Sequence, residues 1–226
     1  MISLLLTALL SASPAAPLNT EGYRLYLAKQ YPEALAKFQE AVKADETHAL
    51  SHYNLAATLG LLRNQGRVCE FNAYRDAVMD ELERAVSLDE GRRKRMQKDP
   101  DFSSVRGTLR YQALLGKKPD AAKDARALLT AITWYAPSVG AYGNPVTLTL
   151  AANGTLTLSR VVMTDDDVKR ESLKGRWKLE GTTVTLDFAK ALEGSKRAVG
   201  KLQPNGHLVF ETPAWNLSDS LSECDA

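Results

Sequence analysis

Apolar positions between Asn19 and Asp45 recur at three- and four-residue spacings: Leu25, Ala28, Tyr31, Leu35, Phe38, Ala41 and Val42. That period predicts amphipathic helices, and Tyr31-Pro32 interrupts the run where Pro can only open a second one. The stretch therefore reads as a helical hairpin. A second unit starts after Asp45, with Leu55, Ala56 and Leu59 forming the inner stripe of its first helix. Its other half is a longer helix spanning Arg67 to Ser87. The segment from Asp99 offers Phe102, Val105, Leu109, Leu114 and Leu115 as an apolar face, with Asp99 or Asp101 available to cap a short helix. A last helix follows Pro119.

At Thr133-Trp134-Tyr135 the period changes from helical to alternating. Val146, Leu148 and Leu150 alternate with Thr147 and Thr149, and Val184, Leu186 and Phe188 with Thr183, Thr185 and Asp187. Asn153-Gly154, Glu180-Gly181 and Asn205-Gly206 stand between successive apolar runs, where Gly and Asn accept the positive dihedrals of tight hairpins. The reading is an antiparallel meander of about six or seven strands: near Trp134, then 146–150, 155–162, 175–180, 182–188, 197–203 and 207–211. Such a sheet must curl into a small barrel or pack on the helices to hide its apolar face. The fold class is thus α+β, with residues 1–16 an export segment, 17–118 helical hairpins with a capping helix, and 119–226 an antiparallel β domain entered by a short helix.

Gly22, Tyr31, Ala34, Phe38 and Ala41 follow the small-aromatic order of tetratricopeptide repeats, and FQEAVKADE recurs as LERAVSLDE. The helical part resembles that family, whose repeats of roughly 34 residues stack as helix pairs. From Ala56 to Ala85 the second repeat carries about ten residues more than that length. The DPDF…LR…RYQALL segment is similar to endings that close such arrays. The resemblance implies that first helices line a concave binding face, placing Tyr23, Tyr26, Tyr53 and Asn54 toward a groove as partner-binding residues. Asn19 and Tyr23 stand where the family's carboxylate clamp has a basic residue and an Asn, so that clamp is not reproduced. An alternative use for these tyrosines is packing against the β domain. Gly175-Arg176-Trp177, with a Tyr142-Gly143 turn and an Asn-Gly-Thr hairpin, resembles lipocalin-like small barrels.

Charge and candidate chemistry change this picture little. With 29 basic against 27 acidic residues, the formal charge of +2 gives no footprint for nucleic acid or an anionic membrane. The apolar run from Ile2 to Leu10 and the small residues Ser13 to Ala16 have the outline of a signal peptide, too short for a span of about 20 residues. The mature chain is expected to begin near Ala16 in a periplasmic or secreted location. There Cys69 and Cys224 could pair; the other reading is a small core residue and a free tail thiol.

The basic run from Gly91 to Lys98 reads as a solvated helix end. His48 and His52 share a helix face at the spacing of zinc ligands, but no third ligand lies nearby. Asp165-Asp166-Asp167 lacks calcium-loop spacing. Asn153-Gly154-Thr155 and Asn216-Leu217-Ser218 match glycosylation sequons. No nucleophile elbow, phosphate-binding glycine loop or cofactor motif occurs. The function this implies is an exported, non-catalytic scaffold binding a peptide or protein. Alternatives are a carrier of a small apolar ligand in the β domain, and a cell-wall or glycan hydrolase with a carboxylate pair that spacing does not reveal.

Overall fold

The computed structural model describes residues 13–138, 144–163, 167–192 and 194–224. Most of the export segment, the Tyr142-Gly143 turn and Asp165-Asp166 lie outside the described residues. The chain has an α+β fold and divides into two compact units, Met1–Ser103 and Ser104–Ala226.

The first unit is helical: α1 Ala15–Leu27, α2 Tyr31–Ala44, α3 Ala49–Asn64, α4 Val68–Phe71, α5 Arg75–Leu88 and α6 Gly91–Met96, then a 3-10 turn at Pro100–Phe102. Helix α1 starts at Ala15, ahead of the Asn19 that periodicity suggests. Ser13 explains the earlier start: its hydroxyl donates to Asp45 at 2.5 Å and accepts the Ala15 N–H at 3.2 Å, while Ala15 is fully buried. Pro32 opens α2, whose buried face is Ala34, Leu35, Phe38 and Ala41. Helix α3 is central and is buried on nearly every side from Ser51 to Leu62. Helix α5 buries Val78, Met79, Leu82, Ala85 and Val86. Each of these Val, Met and Leu side chains contributes about 1.5–3 kcal/mol of transfer free energy.

The single helix expected over Arg67–Ser87 is not present. Asn72 adopts a left-handed conformation at φ 51°, which Asn tolerates better than most side chains, and the chain breaks there into α4 and α5. This break absorbs the surplus residues of the second hairpin. Asp99 does act as a cap, accepting the Asp101 N–H at 3.1 Å, but over a 3-10 turn.

The second unit holds α7 Leu109–Leu114, capped by the Thr108 hydroxyl accepting the Tyr111 N–H, and α8 Ala122–Ala131. Eight antiparallel strands then follow in sequence order: β1 Thr133–Tyr135, β2 Val146–Leu150, β3 Thr155–Met163, β4 Val168–Glu180, β5 Thr183–Leu192, β6 Ser195–Leu202, β7 Leu208–Phe210 and β8 Trp215–Leu217. The last strand goes beyond the expected meander, because three residues are too few to show alternation. Tyr135 and Ser218 exchange backbone hydrogen bonds of 2.7 and 2.9 Å, bringing the two ends of the sheet together into a nearly closed barrel.

The barrel interior is filled by Trp134, Leu148, Leu158, Val184, Leu186, Leu208 and Leu217, all fully buried, with Leu128 and Leu129 of α8 in the same core. At the β2–β3 hairpin Gly154 has φ +80°. Asn153 accepts from the Thr155 N–H at 3.0 Å and from its hydroxyl at 2.7 Å. No described helix is long and apolar enough to cross a membrane.

Candidate functional site

The helical unit carries a groove made of two neighbouring cavities. One, of about 180 Å³, is lined by Tyr23, Tyr26, Phe38, Tyr53, Asn54, Ala57, Arg95, Asp99, Pro100 and Asp101. The other, of about 340 Å³, is lined by Asn19, Thr20, Tyr23, Leu50, Asn54 and Arg95. Tyr23, Asn54 and Arg95 belong to both. All four residues singled out from the sequence therefore meet around one cleft.

Their environments differ sharply. Tyr23 is 45% exposed and stacks on Tyr26 with ring centres 6.4 Å apart and an interplanar angle of 3°. Tyr26 is half-buried, lies edge-on to Tyr31, and donates its hydroxyl to Asp101 at 2.6 Å. Tyr53 is 1% exposed, packs edge-on against Phe102, and donates to Asp99 at 2.8 Å. Asn54 is also buried, and its Nδ2 donates to Asn19 Oδ1 at 2.9 Å. That bond uses one polar atom of each amide, and the other atom of each retains its hydrogen-bonding capacity.

Burial raises the phenol pKa of Tyr26 and Tyr53, and each hydrogen bond to a carboxylate raises it further. Both hydroxyls thus stay protonated donors. Burial likewise raises the Asp101 carboxyl, with the neighbouring Asp99 charge acting in the same direction and the Tyr26 hydroxyl opposing it. Two cations stand over one ring: the Arg95 guanidinium lies 5.2 Å and the Arg92 guanidinium 5.8 Å from the Tyr53 centroid, within cation–π range. Arg92 is also paired with Asp89 at 2.9 Å.

Arg95, Asp99 and Asp101 line the groove although the sequence reading gives them no binding role, and Asn19 enters that reading only where a clamp residue is missing. Arg95 belongs to the run taken as a solvated helix end, yet Met96 beside it is fully buried. An apolar Met inside a basic run was the available signal that one face of α6 turns inward. The two histidines go separate ways: His48 Nδ1 meets the Ser51 hydroxyl at 2.6 Å, and His52 Nδ1 meets Glu81 at 2.5 Å, with its Nε2 3.0 Å from the Glu46 carbonyl. In the strand unit the indole N–H of Trp177 donates to the Ala151 carbonyl at 2.8 Å, and Arg126 sits 4.7 Å over its ring. Asn216 of the second sequon meets His207 Nδ1 at 2.6 Å. Neither Cys69 nor Cys224 is a free thiol, which corrects the alternative of an unpaired tail cysteine.

No protein-family model matches the chain, and no curated protein matches it either.

Proposed function

We propose that the protein is an exported, non-catalytic scaffold whose helical, tetratricopeptide-like unit binds a peptide or protein segment in the groove around Tyr23. The observation that carries this reading is the pairing of an exposed, stacked tyrosine with immobilised polar partners in one cleft. Tyr23 offers a broad ring at little entropic cost, and Asn19, Asn54 and Arg95 offer donors and an acceptor suited to a peptide main chain. Asp99 and Asp101 hold Tyr53 and Tyr26 through their hydroxyls, so the floor of the groove is set before a ligand arrives.

A hydrolase reading draws on the same two carboxylates, since Asp101 is raised and Asp99 is close enough to contribute to that shift. Each of them is engaged by a tyrosine hydroxyl, and that engagement favours a supporting role over an acid/base one. A carrier reading would need room inside the barrel, where Trp134, Leu148 and Leu186 are fully buried.

Panning a random peptide display library on the full chain tests the proposal. Enriched peptides should bind it and lose about tenfold in affinity on Tyr23→Ala, the usual scale for an exposed aromatic anchor. Peptides that bind Tyr23→Ala and the parent equally well would refute it.

A further inference from the structure

Strand β4 is longer than the neighbour that should cover it. It pairs with β3 from Val168 to Arg176, but with β5 only from Gly175 to Glu180. Among the described residues no strand covers the second edge of Val168–Lys174. Gly175 marks the point of divergence: a Cβ there would lie 2.2 Å from the Asp187 carbonyl oxygen, so only glycine lets the β5 backbone cross this closely before it bends away. Beyond the crossing the strands part around a cleft of about 290 Å³ lined by Ser172, Leu173, Lys174, Ala189 and Lys190.

The register says which main-chain groups this opening presents. The Trp177 N–H donates to the Gly154 carbonyl at 2.9 Å, on the β3 side. In an antiparallel ladder the N–H and C=O of alternate residues face opposite edges. Residues 169, 171, 173 and 175 therefore bond toward β3, whereas Arg170, Ser172 and Lys174 turn their backbone groups to the open edge; the Val168 N–H on that edge is taken by Asp167 Oδ1 at 2.8 Å. That edge runs roughly 20 Å at the usual rise of a strand. Its charge is one-sided. Glu171 is paired with Arg160 at 3.1 Å and Lys169 with Asp167 at 3.2 Å. Arg170, Lys174 and Lys190 carry no ion pair among the described residues.

We propose that the open edge of β4 is a second docking site, independent of the groove, which takes an extended acidic peptide segment as an added antiparallel or parallel strand. The main-chain groups supply the ladder, Arg170, Lys174 and Lys190 select carboxylates, and the cleft beside Leu173 and Ala189 accepts one aliphatic side chain. Lysine on an edge strand ordinarily discourages chance pairing with neutral strands, so an acidic segment is the occupant for which that barrier becomes an attraction.

The test measures fluorescence anisotropy of a labelled peptide of alternating Glu and Val, long enough to span Val168–Lys174, on the full chain. A Lys and Val peptide and heparin serve as comparisons. The Glu-containing peptide should bind and the Lys-containing one should not. Ser172→Pro deletes an N–H at the open edge, a position where an edge strand tolerates proline, and should weaken binding about tenfold. Lys174→Glu with Lys190→Glu should abolish binding of the acidic peptide and admit the basic one, which decides the matter if the proline variant is misfolded. Equal binding of both peptides, no binding of the acidic one, or heparin-competed binding indifferent to Ser172→Pro in a folded protein would overturn the proposal.

Discussion

Asp101 is held above the ordinary carboxylate range, chiefly by burial and then by the adjacent Asp99, against the Tyr26 hydroxyl that favours its charged form. A raised folded-state pKa means the native protein binds this proton more tightly than the unfolded chain. Its contribution to stability is therefore fullest at low pH and is lost as pH rises through the unfolded and then the folded value. Asp101→Asn keeps an acceptor for Tyr26 but cannot ionise, so its melting temperature should gain on the parent as pH rises from 3 to 7. A gap independent of pH would show that Asp101 does not titrate in the native state as described. Asp45 behaves in the opposite sense. The Ser13 hydroxyl, followed by the Thr47 side chain and N–H, holds it at about 2, so its contribution is present above the usual carboxylate range and lost as pH falls through about 2. In the uncleaved chain, which keeps Ser13, Ser13→Ala should move the Asp45 carboxyl up toward 3.8 in an NMR titration; an unmoved midpoint would assign the depression to Thr47 alone.

Among the elements, the β2–β3 hairpin depends on one left-handed residue. Gly154→Val forces a β-branched side chain to φ +80° and should cost on the order of 1 kcal/mol or more, read as a lower urea midpoint for loss of the strand signal. A midpoint unchanged from the parent would mean that the turn relaxes without cost. Much of this architecture was legible because hairpin turns announce themselves in glycine and asparagine, and because alternation over strands such as Val146–Leu150 is strict. Strand β8 was not, since three residues carry no period. The break at Asn72 was missed for a different reason: nothing in the local apolar spacing forbids a continuous helix there, and a left-handed Asn is a choice made by packing. The groove was half legible. Its tyrosines were singled out only through the repeat resemblance that aligns Gly22 with Ala56, and the Asp99 and Asp101 contacts join residues 46 and 75 positions apart, which no local pattern records.

At the scale of the molecule, the three tryptophans all belong to the strand unit, with Trp134 and Trp177 buried in the barrel core. Indole emission therefore reports on the barrel, and its maximum is set by that packed interior. A fatty acid taken into the barrel would have to displace those indoles and shift it. An emission shift on adding fatty acids would thus restore the carrier reading in place of a packed interior.

The proposed scaffold role requires a partner to bind in the helical groove. Amide chemical-shift mapping of a panned peptide on the isotope-labelled full chain tests it most directly. The largest perturbations are expected on Thr20, Tyr23, Asn54 and Arg95, with saturation matching the affinity that Tyr23→Ala weakens. Perturbations centred on the strands, with those four residues silent at saturation, would contradict it.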